Sequence, residues 1–238
     1  MPHFFNSGGK GSGLYKSTDG GKTWAKAQNG IPNVLLGRMA VEIAPSKPDV
    51  MYLTVEAKDN ADKGLYKSMD GGNNWKRVNS DFNMNVRPFY FARLVVDPKN
   101  DSIVYKMGLQ LIVSKDGGEK FRQAGGAVHS DMHDVWVNPQ NTDMVYLATD
   151  GGVYRSLDQA YAFDHLKNLP LAQYYHVSLD DAIPYNVYGG LQDNGSWVGP
   201  SRSANGIENR DWLNVGGGDG FWVFPHPKDK DVIFAEYQ

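Results

Sequence analysis

One phrase recurs along this chain and constrains what it can fold into. Gly13-Leu14-Tyr15-Lys16-Ser17-Thr18-Asp19-Gly20-Gly21-Lys22-Thr23-Trp24 returns as Gly64-Leu65-Tyr66-Lys67-Ser68-Met69-Asp70-Gly71-Gly72-Asn73-Asn74-Trp75. A third copy is Leu111-Ile112-Val113-Ser114-Lys115-Asp116-Gly117-Gly118-Glu119-Lys120-Phe121. A fourth, degraded copy is Gly152-Val153-Tyr154-Arg155-Ser156-Leu157-Asp158, with Phe163 in the aromatic place. The serines fall at 17, 68, 114 and 156, so the spacings are 51, 46 and 42 residues. Periods of this length mean stacked supersecondary units.

A second phrase interleaves with the first. Ala44-Pro45 through Met51-Tyr52 matches Asp97-Pro98 through Val104-Tyr105, Asn138-Pro139 through Val145-Tyr146, and Pro225-His226-Pro227 through Ile233-Phe234. Asp180 through Val187-Tyr188 is the same piece with its proline at 184. Each repeat therefore reads as an apolar strand, a Pro turn, a β-branched strand, a loop, the Leu-Tyr-Lys-Ser strand, the Asp-Gly-Gly turn and a fourth strand. Short strands with Pro, Gly, Asn and Asp between them, and no helical period, predict an all-β meander. Four strands per repeat of roughly 40–50 residues is the make-up of a propeller blade. The expected fold is an all-β propeller of four-stranded antiparallel blades, about four full blades plus partial blades at both ends. One domain over 1–238 is expected, with blade-like units at 1–30 (partial), 37–80, 89–125, 131–168, 173–215 and 218–238 (partial). Inner strands are expected at 39–43, 92–96, 135–138, 177–180 and 221–224. The incomplete ends predict a piece of a longer ring, completed by further sequence or by another chain.

The turn chemistry gives the repeat a structural role. Ser and Asp side chains bond nearby backbone N–H groups, and Gly-Gly supplies positive φ. Ser17, Asp19 and Trp24, Ser68, Asp70 and Trp75, Ser114, Asp116 and Phe121, and Ser156 and Asp158 are therefore expected to pin turns, with the aromatics between neighbouring sheets. One Asp per turn is too few hard oxygens for a calcium site.

Composition narrows the partners. A net charge of −3 gives no electrostatic case for nucleic acid or an anionic membrane. No apolar run approaches 18 residues, the length that would suggest a spanning helix. Met1-Pro2-His3-Phe4-Phe5 lacks both the basic start and the apolar stretch of a secretory leader. Zero cysteines exclude disulfides, thiolate catalysis and Cys-zinc sites. No motif asks for a cofactor.

Ser-x-Asp-x-Gly-x-Thr-Trp resembles the Asp-box, or bacterial neuraminidase repeat, of sialidases, xyloglucan-cleaving two-propeller glycoside hydrolases, sortilin-type receptors and a photosystem assembly factor. Longer stretches include Asn85-Val86-Arg87-Pro88-Phe89-Tyr90, His129-Ser130-Asp131-Met132-His133-Asp134-Val135-Trp136, Gly189-Gly190-Leu191-Gln192-Asp193-Asn194-Gly195-Ser196-Trp197, Asn209-Arg210-Asp211-Trp212 and Gly216-Gly217-Gly218-Asp219-Gly220-Phe221. Together they resemble large secreted bacterial Asp-box proteins classed as glycosyl hydrolases or sortilin-like. The resemblance implies a secreted or periplasmic protein that meets a polysaccharide or glycan, or a protein. The Arg-Ile-Pro segment and arginine triad of sialidases are missing, which argues against sialidase activity. The catalytic carboxylates of the xyloglucanases find no residue-by-residue match.

Counting back from the Pro turns predicts a shared funnel face. Arg38, Tyr90, Asp131, His133, Gln173, Tyr175 and Asp219 come from the inner strands. Glu56, Asp150, Gln192, Asp193 and Asn194 come from the loops between second and third strands. Asp150-Gly151-Gly152 and Asp193-Asn194-Gly195 would occupy equivalent places, and both also read simply as hairpin turns. At alternating spacing, His129, Asp131 and His133 would share one strand face, a weak metal candidate or an ordinary polar strand entry. Tyr174, Tyr175, Trp197, Trp212 and Trp222 could stack on sugars or pack between sheets.

Two functional readings remain. One is a glycoside hydrolase with Asp193 and Asp219 as general acid and as base or nucleophile, and Asp150 in reserve, because glycoside hydrolysis needs a protonated and an ionised carboxyl across the bond. In it Arg38, Tyr90, His133, Gln173, Tyr175, Gln192, Asn194 and Trp197 would hold substrate. The other is a non-catalytic propeller that binds a glycan, a peptide or a protein.

Overall fold

The computed structural model describes residues 8–169 and 171–238. Residues 1–7, the start of the first expected repeat and the segment read for a leader, lie outside the described residues. The contacts divide the chain into two compact units, parting between Leu166 and Lys167.

The N-terminal unit is antiparallel throughout. A two-stranded sheet pairs β1 (Tyr15–Lys16) with β2 (Ala25–Lys26). Three four-stranded meanders follow. The first is β3 (Leu36–Ile43), β4 (Met51–Ala57), β5 (Gly64–Ser68) and β6 (Lys76–Asn79). The second is β7 (Leu94–Val96), β8 (Val104–Lys106), β9 (Ile112–Ser114) and β10 (Arg122–Gln123). The third is β11 (Met132–Val137), β12 (Val145–Thr149), β13 (Gly152–Ser156) and β14 (Asp164–His165). Each begins with the expected apolar strand and ends with the strand after the Ser-x-Asp turn. A core lies in each gap between sheets. Leu14, Ala27, Leu53, Val55 and Trp75 fill the first, Tyr52, Leu65, Val96, Val104 and Phe121 the second, and Tyr105, Val113, Val135, Leu147 and Phe163 the third. Each fully buried large side chain contributes about 1.5–3 kcal/mol.

The four Ser-x-Asp turns are nearly superimposable in their hydrogen bonds. The serine hydroxyl donates to the Asp carboxylate at 2.8, 2.8, 2.8 and 2.7 Å. That same oxygen atom of the serine accepts the backbone N–H four residues on, from Gly21, Gly72, Gly118 and Ala160. The Asp carboxylate accepts the N–H of Thr23, Asn74, Lys120 and Ala162, each at 2.9 Å. Three turns place two glycines at positive φ, and the fourth holds Gln159 at 55° and Ala160 at 63° instead. The side-chain bonds impose the left-handed backbone even where a Cβ opposes it. These bonds hold Asp19 and Asp70 down at about 2, the side-chain bonds from Thr23 and Asn74 being the largest cause. For Asp116 burial pushes up, but the turn bonds win and the carboxyl is lowered. Asp158 is lowered by the N–H of Ala162 first.

The two turn tryptophans have different environments. Each indole N–H donates to the carbonyl three residues back, Gly21 or Gly72, at 3.1 Å. Trp75 is 5% exposed, packed against the preceding sheet. Trp24, expected between sheets, is 62% exposed. Turn aromatics pack backwards along the chain, and among the described residues no sheet precedes β1.

Two buried groups depart from the repeat. The Tyr52 hydroxyl donates to Asp101 O at 2.7 Å, whereas the matching Tyr105 hydroxyl is buried with no hydrogen-bond partner among the described residues. Lys106, where the matching residues are Leu53 and Leu147, is 1% exposed. Its ammonium donates to Phe91 O at 3.0 Å and to Met107 O. Burial lowers its pKa from the ordinary 10.5 to about 8.

The C-terminal unit holds the meander β15 (Tyr174–Leu179), β16 (Asn186–Leu191), β17 (Gly195–Pro200) and β18 (Leu213–Gly216), then the pair β19 (Gly220–Pro225) and β20 (Ile233–Tyr237). Asp180 closes the β15–β16 turn through the Asn186 N–H at 2.8 Å and the Tyr188 hydroxyl at 3.0 Å. β19 crosses β16 at backbone contact. A Cβ on Gly190 would lie 2.3 Å from the Gly220 carbonyl carbon, so only glycine fits.

Candidate functional site

In the N-terminal unit, a polar cluster forms where β11 begins and β12 turns into β13. The chain enters through Asp131, at φ 62°, whose N–H donates to Leu109 O at 3.0 Å. The Met132 N–H donates to Gly108 O at 2.9 Å, tying this corner to the β8–β9 turn. The β11–β12 register shifts between Met132 and Asp134, so His133 sits in a bulge. Its Nε2 meets Asp150 Oδ1 at 2.5 Å, both side chains being partly buried. The exposed ring of Tyr90 sets its edge against His133, with centroids 5.6 Å apart at 80°. Asp131 Oδ1 is buried with no hydrogen-bond partner among the described residues. A carboxylate oriented by an imidazole beside an exposed aromatic ring can hold a hydroxylated ligand or move a proton.

The expected shared face of His129, Asp131 and His133 does not form. β11 starts only at Met132, the bulge breaks the alternation, and His129 Nδ1 contacts the adjacent Ser130 O at 3.1 Å. Arg38 lies near the start of the corresponding strand of the first four-stranded sheet. Its N–H donates to Glu56 Oε2 at 2.6 Å, and it lines a recess of about 290 Å³ with Ser12 and Leu14.

A charged row escaped the sequence reading. Glu42 on β3, Arg93 before β7 and Asp134 on β11 sit at the inner strands of three consecutive sheets. Arg93 and Asp134 stand 3.6 Å apart, both exposed. Burial pushes the Glu42 carboxyl up, Arg93 opposes this and Asp134 adds to it. The available signal was a charge inside each of the apolar stretches 39–43 and 92–96.

In the C-terminal unit, the β16–β17 loop holds a second set. Leu191 pairs with Gly195, leaving a three-residue loop, whereas Thr149 pairs with Gly152 across two residues. The two loops are therefore not the equivalent turns that their sequences suggest. Asp193 adopts φ 56°, and its N–H donates to Asp219 Oδ1 at 2.6 Å. The Gly195 N–H donates to Gly218 O at 2.9 Å. These two bonds bring Asp193 and Asp219 together across 26 residues of sequence. Two residues beyond Asp219, Phe221 stacks on Tyr175 at 4.6 Å and 9°. Asn194 Nδ2 donates to Gln192 O, and Trp197 Nε1 donates to Asn194 O at 2.7 Å. That bond makes the indole part of the loop frame. Gln173 is exposed just before β15. Tyr174 and Trp212 pack on each other, with Trp212 against Gly199.

No family model matches the chain. Over 139 residues, 55% of its length, the chain is 27% identical to a xyloglucanase from Hypocrea jecorina (strain QM6a), of which it covers 16%. The GH74 enzyme of Niastella koreensis superposes over 97% of this chain and 38% of its own, with 18% identity and a TM-score of 0.53. The fold is a β-propeller. A GH74 xyloglucanase from Xanthomonas campestris aligns over 94% of this chain and 38% of its own, at 14% identity and a TM-score of 0.48, too loosely to add to that. This propeller chain thus spans about a sixth of the curated relative and under two-fifths of the solved enzyme. Among its described residues, no helix is long and apolar enough to cross a membrane.

Proposed function

We propose that this chain is part of a propeller that hydrolyses a neutral polysaccharide. The observation that carries the reading is the 2.6 Å bond from the Asp193 backbone N–H to the Asp219 carboxylate, with Phe221, two residues beyond Asp219, stacked on Tyr175. Glycoside hydrolysis uses two carboxyl groups flanking the glycosidic bond, and aromatic faces beside them suit the apolar faces of sugar rings. The 27% identity to a xyloglucanase supports the same substrate class. In this reading Asp193 protonates the leaving oxygen and Asp219 is base or nucleophile. Tyr175, Gln173, Gln192 and Asn194 hold sugar, and Trp197 props the loop. A polymer of that size is met outside the cytoplasm, so the reading implies secretion.

The recognition reading keeps one observation of its own. Asp150 is bonded to His133 and Asp219 to a backbone N–H, so both carboxylates already serve as structural ties. The test is turnover of a soluble β-glucan or xyloglucan by purified chain. Asp193→Asn and Asp219→Asn should each lower turnover at least about 100-fold, the scale of general acid–base catalysis. Activity that survives both substitutions refutes the assignment. An intact chain that turns over no glycan, yet loses glycan or peptide binding on Asp193→Asn, is a recognition propeller.

A further inference from the structure

A separate cavity of about 340 Å³ lies between the first two four-stranded sheets of the N-terminal unit. This falls within the range of about 300–1,000 Å³ typical of small-molecule sites. Both walls are complete sheets. Its lining comes from the 3-10 turn Phe82–Asn85, the end of β6, the β8–β9 turn and β10. We propose that this cavity binds a neutral sugar unit, and so forms a carbohydrate subsite distinct from Asp193 and Asp219. It shares with the reading above the expectation of a neutral glycan and does not require that the chain cleave one.

The chemistry of the lining selects that ligand. Gln110 and Gln123 supply side-chain amides, Asn79 and Asn83 are held by bonds to Glu119 O, the Asp81 N–H and Asp81 Oδ1, and among the described residues no Lys or Arg lines the cavity. Side-chain amides offer donor and acceptor together, which matches the paired hydroxyls of a sugar. Anionic sugars, phosphates and acidic peptides would find no counter-charge. Asp81 spends Oδ1 on capping the turn, accepting the Asn83 N–H at 2.8 Å, and this capping fixes the residue that follows it. That residue is Phe82, whose ring is 80% exposed with no core to fill. An exposed ring beside fixed amides suits the apolar C–H face of a pyranose. Gly108 and Leu109 line the cavity and also accept the N–H groups of Met132 and Asp131. The subsite thus abuts the His133–Asp150 cluster, so one glycan could reach from this cavity to that cluster.

The test is NMR titration of the 238-residue chain with cellotetraose, reading the side-chain amides of Gln110 and Gln123, with trigalacturonate as the anionic comparator. The amides should shift with cellotetraose and not with trigalacturonate. Phe82→Ala and Gln110→Ala should each weaken that response about tenfold at an unchanged melting temperature. Asp193→Asn should leave it intact. If the amides stay still while glycan is bound or cleaved elsewhere on the chain, the subsite is wrong and the hydrolase reading survives. Amides that shift on a chain with no turnover uphold the subsite alone. Equal binding by the Phe82 and Gln110 variants, or a preference for trigalacturonate, overturns the inference.

Discussion

Lys106→Met should stabilise this protein, and the gain should fade with rising pH. The folded chain holds this ammonium 1% exposed, with the carbonyls of Phe91 and Met107 as its hydrogen-bond partners among the described residues. Its pKa drops from 10.5 to about 8. At about 1.4 kcal/mol per unit, burying the charge costs the fold about 3 kcal/mol at neutral pH. Met has similar length and adapts to irregular space, while the orphaned carbonyls cost about 1 kcal/mol. The expected net gain at pH 7 is about 2 kcal/mol. The sign of the pH dependence follows from linkage. Below pH 8 both states hold the proton and the cost is complete. Between pH 8 and 10.5 the unfolded chain binds more protons, so wild-type stability rises with pH. By pH 9.5 the wild type should recover about 2 kcal/mol, and the two proteins should nearly converge. Urea melts at pH 7, 8, 9 and 9.5 read this directly. The series stops there because burial raises the Tyr52 and Tyr105 hydroxyls, and their cost to the fold begins as pH passes 10. A wild-type stability that is flat from pH 8 to 9.5, or a Met variant that keeps the slope, would refute the buried charge.

Three further outcomes are expected. Trp75→Ala should cost about 3–5 kcal/mol in denaturant melts, while Trp24→Ala, at 62% exposure, should cost under about 1 kcal/mol; equal losses would mean that Trp24 is covered in solution. Acid should destabilise the fold between about pH 4 and pH 2, because the turn carboxyls are depressed when folded, and their contribution, present above 3.8, is lost as pH falls through about 2. Ser68→Ala should shallow that slope, and an unchanged acid midpoint would contradict the shared role of the turns. Tyr52→Phe should cost about 1 kcal/mol by orphaning the Asp101 carbonyl, whereas Tyr105→Phe should be neutral or stabilising by up to about 1 kcal/mol. A larger loss at Tyr105 in calorimetry would reveal a partner for its hydroxyl.

What the sequence disclosed depended on range. The Ser-x-Asp turns are built from bonds spanning two to four residues, so residues such as Ser68, Asp70 and Asn74 announce them unaided. The strands were legible for the same reason: alternation and Pro turns are local. Trp24 was misjudged because its burial depends on a neighbouring sheet, which no local pattern encodes. His129, Asp131 and His133 parted company through a bulge and a late strand start, neither signalled by residue type. Asp193 and Asp219 were singled out, but only the fold shows the bond between them. Phe82 and Gln110 passed unnoticed because they sit in irregular connections with no repeat to flag them. Glu42 and Arg93 were visible as charges in apolar runs, and their alignment with Asp134 across three sheets was not.

The fourth turn shows which letters of the repeat matter. With Gln159 and Ala160 in place of Gly-Gly, it keeps the serine-to-aspartate bond and the backbone N–H bonds to both side chains that all the turns share. A lineage can therefore lose both glycines without losing the bend, at a strain of about 1–2 kcal/mol per residue. Loss of the serine or aspartate would remove the template itself. Searches for further copies of this repeat should weight those two positions above the glycines that catch the eye.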